Sequence, residues 1–114
     1  MADRIRRVAS VIRLLPGREG RYLDLHRAVW PAVESQLHVA GITNYSIFLR
    51  DGLLFSYFEY TGENLEADLA ALDSDATMQE WLRVTGECQE PLPSARPGEQ
   101  WVTAVEVYRL GRRP

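Results

Sequence analysis

The sequence predicts an α+β fold, one antiparallel sheet with helices packed on one of its faces, and three observations predict it. Turn residues cut the chain into a strand, a helical stretch, two strands, a second helical stretch and a last strand. Asp51-Gly52 separates the two middle strands by two residues, a strong hairpin signal. One short hairpin and two helical crossovers, in that order, give four antiparallel strands with the helices on one side.

Residues 4–14 alternate in part, with Val8, Ser10, Ile12 and Leu14 in step, and read as the first strand. Pro16 and Gly17 end it. Residues 18–40 read as helical, because Tyr22, Leu25, His26, Val29, Trp30, Val33 and Leu37 recur on one stripe. Pro31 interrupts that stripe, so the spacing predicts a kink there or two helices with Pro31 opening the second. Gly41 is a natural stop. Residues 42–50 and 53–60 are the hairpin strands. Residues 64–73 and 75–86 read as helical, with a break near Asp73-Ser74-Asp75. Pro91, Pro93, Pro97 and Gly98 make residues 89–100 a loop, and alternation returns over 101–110 as the last strand. This order is the βαββαβ, ferredoxin-like plan in a single domain over residues 1–114.

The strand over 53–60 adds a constraint. Leu53, Phe55, Tyr57 and Glu59 lie on one face, and Leu54, Ser56, Phe58 and Tyr60 on the other. Both faces are largely apolar, and two helices can cover only one of them. The second face is expected to meet another copy of the chain in a two-fold dimer.

With 114 residues, 46% of them hydrophobic, the chain is long and apolar enough for one real core. A net charge of -3 with both signs scattered argues against nucleic acid as the main partner. Arg4, Arg6, Arg7 and Arg13 form one basic cluster, read as a solvated strand edge. No apolar run reaches the roughly 20 residues of a membrane span, and the charges at 3 to 7 are not followed by a secretory apolar segment. One cysteine, Cys88, offers neither a disulfide nor a zinc cluster, and the chain reads as cytoplasmic. Gly-rich phosphate loops, dinucleotide fingerprints, metal-ligand clusters and nucleophile elbows are missing from the sequence. A reaction run here needs only proton transfer, positioning and hydrogen bonding, with no metal or other cofactor.

Tyr22, His26 and Trp30 stand four residues apart and would stack on one helix face, although Pro31 weakens the last step. His26 is either a hydrogen-bonded structural residue or a general acid or base near neutral pH. Tyr22, one turn earlier, would then orient the imidazole or bind a substrate hydroxyl. Tyr45 shares a strand face with Ile47 and Leu49, and its buried hydroxyl needs a partner, either substrate or a backbone carbonyl. Met78, Trp81, Leu82 and Thr85 form a helical stripe whose ordinary reading is core packing, with Trp81 also suited to the apolar face of a sugar. His38, twelve residues beyond His26, reads as solvent-exposed.

Four blocks in order resemble the L-rhamnose mutarotase family over residues 4 to 110. They are His26-Arg-Ala-Val-Trp30-Pro31, Gly41-Ile-Thr-Asn44-Tyr45-Ser46-Ile47, Leu54-Phe55-Ser-Tyr57-Phe58-Glu59, and Trp81 before Cys88-Gln89-Glu90-Pro91. The resemblance implies a dimeric α/β-barrel of ferredoxin-like subunits. It implies cofactor-free interconversion of the α and β anomers of a deoxyhexose, L-rhamnose or alternatively L-fucose. It puts the proton-donating histidine on His26 and substrate contacts on Tyr22 and Tyr45. The family's Trp-Trp pair falls on Trp81-Leu82, Ala32 replaces a common acidic residue, and Gly86 stands where an aspartate is common. The same barrel also hosts cofactor-independent monooxygenases and haem-binding proteins, and a non-catalytic sugar-binding dimer would share the same pocket.

Overall fold

The computed structural model describes residues 5–111. Arg4, and with it the first position of the expected opening strand, lies outside the described residues. The elements run β1 (Arg6–Leu14), α1 (Glu19–Arg27), α2 (Pro31–Val39), β2 (Ile42–Arg50), β3 (Leu53–Tyr60), α3 (Leu65–Asp73), α4 (Ala76–Gly86), β4 (Gln89–Glu90) and β5 (Val102–Ala104). Pro31 opens a second helix, because its missing N–H costs nothing in a first turn and its ring bars helix at Trp30. Trp30 is extended, with φ -61° and ψ 130°. Asp51 and Gly52 both have positive φ, which turns the hairpin tightly.

The sheet order is β2-β3-β1, with β4 and β5 both pairing antiparallel to β1 on its far side. The ferredoxin-like plan is present, with one modification. The fourth strand position is shared by two short segments, Gln89–Glu90 beside Arg13 and Leu14, and Val102–Ala104 beside Val11 to Ala9. The expected loop over 89–100 therefore begins two residues later. The proline-bearing stretch leaves the sheet and returns to it, since proline cannot donate to a ladder.

The expected last strand over 101–110 is likewise shortened to three residues. Residues 105–111 carry the alternation but have no strand assignment, and Val105, Val107, Tyr108 and Leu110 are exposed. Alternation reports that a segment suits a strand; a ladder also needs a neighbour with free hydrogen bonds. Of the described arginines of the basic cluster, Arg13 lies between β3 and β4, while Arg6 and Arg7 pair with β3 alone, and Arg7 forms an ion pair with Glu106 at 2.8 Å.

Helices cover one face. Ile12, Leu54, Ile42 and Tyr60 point to that side and are buried, with Val33, Leu72, Met78 and Trp81 packing above the sheet. The registers put Val11, Phe55 and Phe48 side by side on the opposite face. Phe48 is 62% exposed and Phe55 39%. Among the described residues no helix is long and apolar enough to cross a membrane.

Candidate active site

The break at Pro31 and the edge position of β2 together open a cavity of about 530 Å³ between α1, α2, α4 and β2. That size falls within the roughly 300–1,000 Å³ typical of small-molecule sites. Tyr22 and His26 from α1, Tyr45 from β2, Trp81 from α4, and Glu34 and His38 from α2 all line it.

Four of the five residues expected at a site are thus brought together. The ring row differs from simple stacking along one helix. Tyr22 and His26 do stack, with centroids 4.3 Å apart. Trp30 has left the helical path, and Trp81 meets both His26, edge-on at 5.3 Å, and Trp30 at 5.1 Å. Leu82 is the residue left out. It is 45% exposed and does not line the cavity. Val84 joins Met78, Trp81 and Thr85 in the core instead, because position 82 lies about 100° around the helix from 81. Glu34 and His38 were not predicted at the site. His38 is exposed as expected, yet the turn at Pro31 swings α2 so that this i, i+4 pair reaches the cavity. Gln89 is a third unpredicted neighbour, its Nε2 donating at 3.5 Å to the Tyr22 hydroxyl.

The histidine's protonation pattern follows from one contact. His26 Nδ1 lies 3.0 Å from the backbone carbonyl oxygen of Tyr22. A carbonyl oxygen can only accept, so Nδ1 carries the hydrogen and donates it. Nε2 is therefore the nitrogen that gains and loses a proton. It is bare in the neutral ring and a donor in the imidazolium.

Two phenols share the cavity's desolvated corner. Burial pushes the Tyr22 hydroxyl far above its ordinary range, and the nearby Tyr45 hydroxyl pushes it further. Tyr45 is 43% exposed as a residue and lines the cavity, and burial around its hydroxyl raises its pKa as well. Both remain protonated at neutral pH, able to donate to and accept from a polar ligand. Tyr45 shares the helix-covered face of β2 with Ile47 and Leu49, next to an irregularity in the strand. The register with β3 shifts between Thr43 and Ser46, and Asn44 has φ +50°. The Tyr45 ring rests edge-on against Phe58 at 5.6 Å. Among the described residues no cluster of metal-ligating side chains is present.

The arrangement brings the His26 imidazole, two phenols and an indole together with the Glu34 carboxylate and the His38 imidazole around one hollow. It suits a polar ring with apolar patches that reacts by proton transfer.

Comparison with known proteins agrees with this chemistry. The sequence pattern of the L-rhamnose mutarotase family matches residues 7–110. An L-rhamnose mutarotase of Burkholderia orbicola is 33% identical over 82% of this chain and 88% of its own length. One from Listeria monocytogenes is 31% identical, over 80% and 86%. Among solved structures, an L-rhamnose mutarotase of Formosa agariphila superposes with a TM-score of 0.74 at 22% identity, covering 93% of this chain and 99% of its own.

Proposed function

Because the chain belongs to the L-rhamnose mutarotase family, we infer that it is an isomerase that interconverts the α and β anomers of L-rhamnose, with His26 moving the proton. The observation that carries the role of His26 is its Nδ1–H bond to the Tyr22 carbonyl, inside an aromatic-walled cavity.

Mutarotation opens a hemiacetal, turns the freed carbonyl and recloses the ring. His26, as the imidazolium, gives its Nε2 proton to the ring oxygen. The bond between the anomeric carbon and the ring oxygen breaks, and its electron pair goes to the ring oxygen. The anomeric hydroxyl gives up its proton to water at the cavity's open side, leaving the aldehyde. Half a turn about the adjacent carbon–carbon bond, followed by the reverse steps, produces the other anomer. The Nδ1–H bond holds the ring plane through both protonation states, so Nε2 stays aimed while its charge changes. Tyr22 and Tyr45 hold sugar hydroxyls, and Trp81 covers the apolar face of the pyranose. The uncatalysed reaction runs in water, so proton transfer and positioning suffice.

The active form is a homodimer, in which the open sheet face bearing Phe48 and Phe55 meets a second copy. A cytoplasmic setting is consistent with the unpaired, buried Cys88.

The test is magnetisation transfer between the two anomeric proton signals of L-rhamnose. His26→Ala should slow exchange by about 10²–10⁴-fold, the usual worth of positioned acid–base catalysis, while the protein stays folded. Exchange at the wild-type rate would remove His26 from the reaction.

A further inference from the structure

Opening a sugar ring moves two protons, and His26 accounts for one of them. The other leaves the anomeric hydroxyl and needs an acceptor. The ring oxygen and the anomeric oxygen are bonded to the same carbon, so that acceptor must work close to the His26 imidazole. The phenols of Tyr22 and Tyr45 are held neutral by burial, which leaves Glu34 and His38 as the other lining side chains able to exchange protons. Both are exposed as well as lining the cavity, so they stand at its open side, where water enters.

Position along α2 separates the two. Trp30, the residue before the helix, meets Trp81 at 5.1 Å, and Trp81 meets His26 at 5.3 Å. The Glu34 N–H donates to the Trp30 carbonyl at 3.2 Å, so Glu34 stands one turn from these rings. His38 lies a further turn away, about 5.4 Å along the helix axis, next to the turn into β2. Glu34 is also unneutralised. Asp24, Glu80 and Glu87 pair with arginines, whereas Glu34 has no side-chain hydrogen bond or ion pair among the described residues. A carboxylate without a cationic partner is the better base.

We propose that Glu34 is the general base of the anomer exchange, receiving through one water the proton that the anomeric hydroxyl loses. This rests on the mutarotase reading of the cavity. In ring opening the anomeric O–H bond breaks and its electron pair becomes the second bond of the carbonyl. The water takes that proton and passes one of its own to a Glu34 carboxylate oxygen, while the ring oxygen takes the proton from His26 Nε2. Ring closure returns both protons by the same routes, so each turnover leaves His26 and Glu34 as they began.

Exchange rates measured against L-rhamnose concentration on the full chain give kcat and KM. Glu34→Gln keeps the shape of the side chain but cannot take a proton. It should lower kcat about tenfold, less than the roughly 10²–10⁴-fold of a directly placed base because solvent still accepts the proton. KM should stay within about twofold, as for an interaction made in the transition state. Formate should restore part of the rate lost in Glu34→Ala, beyond its own effect on the sugar without protein. His38→Gln should lose less than Glu34→Gln. A kcat within about twofold of wild type in Glu34→Gln overturns the proposal. So does a rise in KM alone, a Glu34→Ala variant that formate does not help, or a larger loss in His38→Gln. If the wild-type chain leaves exchange at the rate of buffer, the mutarotase reading itself falls. If the wild type accelerates exchange and Glu34→Gln does so equally, only the base falls.

Discussion

Tyr22 and Tyr45 place two neutral phenols in one desolvated corner, and their raised pKa values carry a stability consequence. Each folded value lies above the unfolded value of about 10. The folded state then holds these protons more tightly, so the contribution is fully present below pH 10. It is lost as pH rises from 10 through the raised folded values. Alkaline titration should therefore show phenolate absorbance at these residues lagging free tyrosine and appearing together with loss of the circular dichroism of the fold. All five tyrosines ionising near pH 10 in a folded protein would contradict this burial. At this scale much of the site was legible. Tyr22 and His26 are four residues apart on a helix, and that spacing alone predicts their 4.3 Å contact. Trp81 was legible as an aromatic of a buried stripe but not as the ring closing on His26, because that contact joins residues far apart in the chain. The fixed Nδ1 hydrogen needed the backbone carbonyl to be placed.

α4 shows how local signals set an element that carries a site residue. Asp75 accepts a hydrogen bond from the Met78 N–H at 2.9 Å and starts the helix that presents Trp81. Asp75→Ala should cost about 1 kcal/mol, the usual worth of such a cap, and lower the melting temperature by roughly 4 °C for a domain of this size. An unchanged melting curve would mean that packing alone places the start of α4. The break near Asp73-Ser74-Asp75, the restart at Pro31 and the Asp51-Gly52 turn were all readable, because each follows from the backbone chemistry of one or two residues. The bulge in β2 was not. The run Asn44 to Leu49 carries no glycine or proline to mark a break, and an extra residue appears only when β2 is set against β3.

For the whole molecule, the unequal treatment of the two sheet faces matters most. One face lies under four helices, while the other leaves Phe48 and Phe55 exposed beside Val11. Residues 105–111 add Val105, Val107, Tyr108 and Leu110 to the apolar surface of the single chain. Light scattering should give twice the 13.0 kDa chain mass. Phe55→Glu should shift the protein toward monomer, because a carboxylate in a dry interface has no partner. A wild-type protein that runs as a monomer at micromolar concentration would leave the open face without a function.

The order of elements, their breaks and the pairing of an imidazole with a phenol came from the sequence alone, since helix periodicity, proline and turn dipeptides act over a few residues. Three features came only with the tertiary structure: the division of the last strand into Gln89–Glu90 and Val102–Ala104, the arrival of Glu34 and His38 at the cavity, and the outward turn of Leu82. The first two depend on which segments, distant in sequence, compete for the same edge or enclose the same space. The third depends on which side of α4 the sheet lies, and no local pattern records any of them.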